Sequence, residues 1–270
     1  MKVAIFCGGM GVRMGEQTQL IPKPMIRIGN RPILWHIMRY YASFGHNEFI
    51  LCLGYKGESI KEYFLTHNEA MTNDFILDGT GPRARIELLS RESEGWRITF
   101  ADTGLNTKIA GRLKAVERYI GDEEAFLATY GDGLTDAPLH DLIATFHERG
   151  KMAMFLAVRP QYTGHLVTAK PDGTVTSISE TSGADARMNA GFFVLKREIL
   201  DCIQPDDELV EETFARLIPR GEVLAYNYDG FFGPMDTIKD HQRLEALHES
   251  GTAPWIGASA RSAATKPAAD

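Results

Sequence analysis

Apolar strand-like runs alternate with amphipathic helical patterns through the first two thirds of the chain. The runs rich in β-branched and other apolar residues predict strands at 3–7, 48–53, 96–101, 125–130 and 151–159. Apolar positions at helical spacing predict helices at 33–44, 56–65, 109–119 and 139–149. This alternation is typical of an α/β, Rossmann-like fold with a mostly parallel sheet and helices on both faces.

The pattern of apolar and polar residues changes in the last third of the chain. Short alternating segments between 166 and 195, with a hairpin turn at Asp172-Gly173, predict a small antiparallel portion. A helix at 207–218, a strand at 223–228 and a helix at 238–249 follow. We predict one catalytic domain over 1–255 and, because 256–270 is rich in Ala and Ser with little to bury, a disordered tail.

Residues 66–95 are polar and irregular, with a turn at Gly79-Thr80-Gly81-Pro82 and a possible short strand at 86–89. A connection of this length is unusual inside a compact domain unless it serves a function or an interface. We therefore predict that this insertion is either functional or part of an interface, with an oligomer contact as one possibility.

The composition and net charge of the chain limit the classes of partner that it can bind. The 270 residues are 44% hydrophobic, enough for a substantial core, and the net charge of −7 argues against nucleic acid and against a membrane surface. No apolar run approaches a membrane span, and the N-terminus leads straight into a strand, so we predict a cytoplasmic protein. Cys7, Cys52 and Cys202 match no metal-site spacing and are interpreted as small core residues.

The first strand opens into Gly8-Gly9-Met10-Gly11-Val12-Arg13, which is followed by Pro22-Lys23-Pro24. Glycines let an anion approach the backbone N–H groups, and cations at two chain positions can reach separate phosphates. This pattern predicts a polyphosphate site formed by Gly8, Gly9, Gly11, Arg13 and Lys23. It is neither a Walker A loop, since no Lys follows Gly15, nor a Rossmann turn, since Met14 stands where a third small residue is needed.

Two acidic residues follow strand-like runs. Asp132 lies between Gly131 and Gly133, and Asp236 lies in Gly233-Pro234-Met235-Asp236-Thr237. Ligands collect at the carboxyl edge of such a sheet, and Mg²⁺ is held by one or two carboxylates with water and phosphate oxygens. We predict that Asp132 and Asp236 bind Mg²⁺ beside the triphosphate; the alternative for each is an aspartate that caps a turn or a helix.

Taken together, these motifs resemble the sugar-1-phosphate nucleotidyltransferases. The resemblance covers roughly 1–255, and the pairing of Gly111-Arg112-Leu113 with Pro234-Met235-Asp236-Thr237 favours the cytidylyl branch of that family. The motifs that carry it are Gly8 to Arg13, Pro22 to Met25, Pro32 to Met38, Gly54 to Gly57, Asp102 to Gly104, Gly111 to Lys114, Tyr130 to Gly133 and Pro234 to Thr237.

The resemblance implies a Mg²⁺-dependent reaction in which α-D-glucose 1-phosphate attacks the α-phosphorus of CTP, giving CDP-glucose and pyrophosphate. It implies that Arg13 and Lys23 are catalytic and that Arg112 and Gly131 contact the nucleotide. It further implies a homo-oligomer, with the 66–95 insertion at a subunit interface near a nucleotide.

The acceptor half departs from the family pattern. Where the family has Glu-Lys-Pro, with a lysine for the acceptor phosphate, this chain has Glu180-Thr181-Ser182. Downstream, Asn189-Ala190-Gly191 still resembles the family's Asn-Gly-Gly, so Asn189 and Gly191 are predicted to bind the acceptor. Arg187 and His165 are candidates for the missing positive charge, with a solvated surface arginine and a loop histidine as the alternatives.

Three functions remain open at this stage. The first is formation of CDP-glucose. The second is a cytidylyltransferase for a different phosphorylated acceptor, because the family lysine is absent. The third is a non-catalytic nucleotide-binding regulator, against which the joint presence of Arg13, Lys23, Asp132 and Asp236 argues.

Overall fold

The computed structural model of the protein describes residues 1–9, 21–81, 84–89, 95–160, 165–180 and 186–258. The strands in chain order are β1 (Val3–Phe6), β2 (Arg27–Ile28), β3 (Arg31–Pro32), β4 (Glu48–Leu53), β5 (Phe75–Asp78), β6 (Arg85–Leu88), β7 (Arg97–Asp102), β8 (Ala125–Tyr130), β9 (Gly133–Thr135), β10 (Ala153–Val158), β11 (His165–Ala169), β12 (Val175–Glu180), β13 (Met188–Asn189), β14 (Phe193–Lys196), β15 (Val223–Tyr228) and β16 (Phe232–Pro234). The α-helices are α1 (Ile33–Ser43), α2 (Gly57–Thr66), α3 (Ile109–Ala115), α4 (Glu117–Ile120), α5 (Leu139–Arg149), α6 (Ala215–Leu217) and α7 (Ile238–Glu249).

One large sheet runs in the order β7-β4-β1-β8-β14-β10-β15, and β13 pairs with β10 beyond β14. β7, β4, β1 and β8 are mutually parallel, whereas β14 lies antiparallel between β8 and β10. The predicted α/β fold with a mostly parallel sheet is confirmed. Because the four parallel strands end at one edge, the loops that follow them converge there.

Apolar residues cover both faces of the sheet, which is why the central strands are apolar throughout instead of alternating. On β1, Val3 and Ile5 point into one core cluster with α1 and α5, and Ala4 and Phe6 point into the other with α3. Two of the three cysteines belong to these cores: Cys7 and Cys52 are buried, and burial raises the pKa of both thiols, as expected for small core residues.

Two segments differ from the sequence predictions in detail. The insertion contains a hairpin of β5 and β6, in which apolar side chains such as Ile76, Leu77 and Ile86 are about half exposed. Its sequence lacks the alternation of apolar and polar residues that predicts a half-buried hairpin. The helix predicted at 207–218 is found as a π-helical segment, Leu209–Phe214, that continues into α6. A π-helix keeps apolar positions close to helical spacing, which the pattern alone does not distinguish.

The packed chain continues slightly past the predicted end at residue 255. Trp255 is 3% exposed, and Ala258 is buried as well. The remainder of the predicted tail, 259–270, lies outside the described residues.

Candidate active site

A cavity of about 590 Å³ opens at the carboxyl edge of the parallel strands. Its wall is built from the residues that follow β1, β7 and β8, together with the turn that carries Lys23. The lining residues include Gly8, Gly9, Lys23, Pro24, Leu105, Lys108, Arg112, Tyr130, Gly131, Asp132 and Glu208. The predicted residues Gly8, Gly9, Lys23, Arg112, Gly131 and Asp132 therefore share one wall.

Lys23 bridges the two predicted metal-binding carboxylates. Its Nζ donates to Asp132 Oδ2 and to Asp236 Oδ1, each at 2.7 Å, and its side chain is only 10% exposed. Asp132 lies there because it follows β8. Asp236 arrives because β16 pairs with β9 and Met235 N donates to Asp132 O at 2.9 Å.

The electrostatics of this group suit a cation. Burial alone would lower the pKa of Lys23, but the carboxylates of Asp132 and then Asp236 outweigh it and raise that pKa, so the lysine is charged. Two carboxylates thus face one ammonium group, and the ammonium marks a position between them where a positive charge is favourable. No cluster of three or more His, Cys, Asp or Glu residues is found in the described part of the chain. The pair fits a hard divalent cation that completes its shell with water and phosphate oxygens.

Arg112 is 4% exposed and organises the cavity wall. Its guanidinium donates to Leu53 O at 3.1 Å, to Thr103 Oγ1 at 2.7 Å and to Leu105 O at 3.3 Å, and it reaches Gly8 O at 3.4 Å. Desolvation lowers its pKa. The side chain predicted to contact the nucleotide therefore also ties together the loops after β1, β4 and β7.

Gly8 and Gly131 are required by close packing. A Cβ at Gly8 would overlap the Arg112 guanidinium, and one at Gly131 would lie 2.8 Å from Phe6 O. Among the described residues, no atom lies within 4 Å of a Cβ built at Gly9, and an anion approaching the backbone would need such space. Gly11 and Arg13, the other predicted phosphate contacts, lie outside the described residues.

Comparisons with known proteins identify the family of the chain. A family model described as nucleotidyl transferase matches residues 2–228. The chain belongs to the nucleotidyl transferase family. It is 41% identical over 259 residues to the glucose-1-phosphate cytidylyltransferase of Salmonella typhimurium, covering 94% of this chain and 98% of that protein. The resemblance drawn from the motifs is thus confirmed, and the chain is an enzyme of this family.

More distant relatives and structural neighbours are named for other activities. A mannose-1-phosphate guanyltransferase of Yarrowia lipolytica is 27% identical, with 89% of this chain and 62% of that protein covered. The solved structure of a UDP-glucose pyrophosphorylase with UDP-glucose superposes with a TM-score of 0.68 at 13% identity, covering 93% of this chain and 98% of that one. Nucleotidyltransferases of this family generally use a divalent metal ion. Within the described ranges, no helix is long and apolar enough to cross a membrane.

Asn189 and Gly191 form a tight turn against Tyr130, which lines the cavity. Gly191 N donates to Asn189 Oδ1 at 2.9 Å, and the Gly191 φ of +79° favours glycine. A Cβ there would lie 2.8 Å from Tyr130 Cδ2, and burial raises the pKa of Tyr130 to about 12. Because this turn lies between β13 and β14, it places Asn189 beside the end of β8 that carries Asp132.

Arg187 lies nearby, at the ends of β10 and β15. It donates to Ala157 O at 3.3 Å, to Tyr228 O at 3.1 Å and to Asp229 Oδ1 at 2.8 Å, and Arg159 donates to the same Asp229 oxygen. Within the described ranges, these two arginines share the carboxylate of Asp229. Thr181 lies outside the described residues; His165 begins β11, and its side chain is not among those described.

Sequence reasoning missed part of the cavity wall. The loop from Leu105 to Ile109 lines it, and Ile109 N donates to Glu208 Oε2 at 3.2 Å. The Asp102-Thr103-Gly104 motif gave a signal for this loop, because Gly104 needs a φ of +90°. Glu208 had no such signal, since it comes from a distant helical segment that only the fold brings to α3.

We call the residues predicted to bind the nucleotide or its metal ion the nucleotide side: Gly8, Lys23, Arg112, Asp132 and Asp236. We call the residues predicted to bind the acceptor, together with the carboxylate that pairs with Arg187, the acceptor side: Arg187, Asn189, Gly191 and Asp229.

Proposed function

We propose that this enzyme transfers the cytidylyl group of CTP to α-D-glucose 1-phosphate, forming CDP-glucose and pyrophosphate with Mg²⁺. The observation that carries the proposal is the 41% identity to a glucose-1-phosphate cytidylyltransferase over nearly the whole of both chains. Lys23 and Asp132 line one cavity, and Lys23 pairs with both Asp132 and Asp236. This arrangement supports the proposal, because the reaction needs a cation site beside a phosphate site.

The chemistry is a substitution at phosphorus. A phosphate oxygen of the sugar phosphate forms a bond to the α-phosphorus of CTP, and the bond from that phosphorus to the bridging oxygen of the β-phosphate breaks. The electron pair leaves with pyrophosphate. The protein's task is to align nucleophile and leaving group and to neutralise charge on the phosphate oxygens.

Lys23 is suited to this task because it is buried and kept charged by two carboxylates. In the presence of substrate, its ammonium group would stabilise negative charge around the α-phosphate. Asp132 and Asp236 would hold Mg²⁺, which supplies positive charge to the phosphate oxygens when bound. The backbone at Gly8 and Gly9 would face the triphosphate, and Arg112 would keep that backbone in place.

A second acceptor remains a candidate because Thr181 stands where the family has a lysine. The one nearby guanidinium predicted to replace it, that of Arg187, is already bonded to two carbonyls and to Asp229. For Arg187 to bind the acceptor phosphate, it would have to exchange Asp229 for phosphate oxygens. A cytidylyltransferase with a different phosphorylated acceptor would satisfy the same nucleotide side.

We also propose a cytoplasmic homo-oligomer with the insertion at a subunit interface. Support comes from the β5–β6 hairpin, whose Phe75, Ile76, Leu77 and Ile86 side chains are each 41–53% exposed. Exposed apolar side chains grouped in this way are typical of association surfaces. Light scattering that shows a monomer at working concentration would remove this part of the proposal.

The test of the proposed reaction uses the purified full chain with CTP, glucose 1-phosphate and Mg²⁺. We expect pyrophosphate release and a product with the mass of CDP-glucose, both abolished by a chelator. Galactose 1-phosphate and mannose 1-phosphate serve as matched acceptors. Pyrophosphate release with another acceptor and none with glucose 1-phosphate would support the second candidate, and no release with any pair would support a non-catalytic regulator.

A further inference from the structure

The segment after Asp236 returns to the segment after Lys23. Asp236 is followed by a capping box at the start of α7: Asp240 N donates to the Thr237 side chain, and Thr237 N donates to the Asp240 side chain. Asp236 N also donates to Asp240 Oδ2, at 3.2 Å. The Lys23 turn ends where Ile26 N donates to Lys23 O at 3.1 Å, and the β2–β3 hairpin follows directly. The positions of Asp236 and Lys23 therefore depend on how α7 meets this hairpin.

Side chains of helix α7 bond backbone groups of the β2–β3 hairpin. His241 Nε2 donates to Arg27 O at 2.8 Å, and the Glu245 carboxylate accepts from Gly29 N at 3.0 and 3.1 Å. Gly29 has a φ of +61°, and a Cβ there would overlap the His248 ring. The helix is thus fitted closely against one backbone stretch.

Trp255 completes the connection from the other end of α7. Its Nε1 donates to His36 Nδ1 at 3.3 Å, and His36 Nε2 donates to Ile28 O at 3.0 Å. Burial lowers the pKa of His36 to about 4, so the ring is neutral near pH 7 and one nitrogen can accept while the other donates. The Trp255 ring also packs on Phe231, with centroids 5.7 Å apart, and Phe231 leads into β16 and Asp236.

We propose that Trp255 and His36 are positioning residues for the Lys23, Asp132 and Asp236 group. Trp255 packs on Phe231 in the segment that leads to Asp236, and it is linked to Ile28, in the segment after Lys23, by a buried hydrogen-bond relay through His36. Together with α7 it forms a clamp, here called the C-terminal clamp. Its effect would be to fix the spacing of the lysine and the carboxylates before any substrate arrives.

The inference rests on the proposed roles of Lys23 and Asp236, but it can be tested without a substrate. The variants are Trp255→Phe, which keeps a ring and removes the donor to His36, and Trp255→Ala, which removes both contacts. Phe146→Leu is the control, because Phe146 is equally buried and lies on α5 outside the clamp. Each variant is compared well below its own melting temperature, with global folding checked by circular dichroism.

The first readout is the rate at which an acylating reagent modifies Lys23 in the substrate-free protein, measured by mass spectrometry. The second is the Mg²⁺ concentration that gives half-maximal activity. We expect Trp255→Ala to raise both by about tenfold, as changes behind a metal site commonly do, with Trp255→Phe intermediate and Phe146→Leu unchanged. If Trp255→Ala does not fold, Trp255→Phe is judged by the same criterion.

Lys23 labelling in the Trp255 variants that matches Phe146→Leu would overturn the inference and leave Trp255 a structural residue. If Lys23 labelling rises in the Trp255 variants but the wild-type protein forms no CDP-glucose, the proposed function is refuted and the positioning role of the C-terminal clamp is supported.

Discussion

Lys23 and Arg112 on the nucleotide side are almost fully buried, whereas Asp229 on the acceptor side has a 63% exposed side chain that pairs with Arg187 and Arg159. The nucleotide-side groups are held by contacts from several segments: Arg112 bonds the loops after the parallel strands β1, β4 and β7, and Lys23 pairs with one carboxylate after β8 and one after β16. Arg187 on the acceptor side donates to two strand-end carbonyls and to one solvated carboxylate, which also accepts from Arg159. A change on the nucleotide side should therefore disturb chemistry, and a change on the acceptor side should adjust which acceptor is used.

The largest expected effect is that of Lys23→Met, which keeps the length of the side chain and removes its charge. Turnover should fall by about 10³-fold, because a buried, preorganised positive charge at the reacting phosphate is lost. The measurement is pyrophosphate release under saturating CTP. Lys61→Met, at an exposed position on α2, is the matched control, and near-wild-type turnover of Lys23→Met would exclude that lysine from the mechanism.

Asp132→Asn and Asp236→Asn come next. Each should lower Mg²⁺-dependent turnover by about 10²-fold, because an amide oxygen lacks the negative charge that a hard cation prefers. A titration of activity against Mg²⁺ and direct Mn²⁺ binding measured by electron paramagnetic resonance check the prediction. Asp229→Asn on the acceptor side is the control. An unchanged Mg²⁺ response in both nucleotide-side variants would contradict the metal assignment.

Gly8→Ala tests how the nucleotide side is built. The added Cβ would collide with the Arg112 guanidinium and displace it from Leu53 O and Thr103 Oγ1, at a cost of about 1–3 kcal/mol in the free energy of unfolding. Gly9→Ala is the matched control, since its Cβ would meet no atom of the described part of the chain within 4 Å. Chemical denaturation measures both, and equal stability of the two variants would show that the guanidinium is not held as described.

The smallest effect is expected on the acceptor side. Arg187→Ala should raise the KM for the sugar phosphate by about tenfold and leave the KM for CTP unchanged, because a charge-assisted bond to phosphate would be lost. Adding Thr181→Lys in that background should partly restore use of glucose 1-phosphate. Wild-type behaviour of Arg187→Ala toward every acceptor would mean that the phosphate is held elsewhere.

Much of the fold was accessible from the pattern of apolar positions. The strands at 48–53, 125–130 and 223–228 and the helices at 139–149 and 238–249 occur with the predicted limits. Their apolar faces pack on the sheet, so local pattern and tertiary packing agree there. The π-helical segment and the exposed β5–β6 hairpin were not predicted in form, because neither leaves a distinct periodicity.

The site residues could be predicted from the sequence where one motif carries the chemistry, and less well where the fold joins distant segments. Glycine spacing and strand-end position indicated Gly8, Lys23 and Asp132. The bridge from Lys23 to both carboxylates depends on the pairing of β16 with β9, and Arg112's bonds to three loops depend on the parallel strand order. No sequence pattern links His36 with Trp255, which are joined only through tertiary packing.

The proposed function requires that this enzyme use CTP in preference to other nucleoside triphosphates for transfer to glucose 1-phosphate. The most direct measurement is one competition reaction that contains CTP, UTP, GTP, ATP and dTTP at equal concentrations with glucose 1-phosphate and Mg²⁺, followed by mass spectrometry of all nucleotide sugars. We predict CDP-glucose as the dominant product. A different nucleotide sugar as the main product, or none in a reaction where the protein is folded, would contradict the claim.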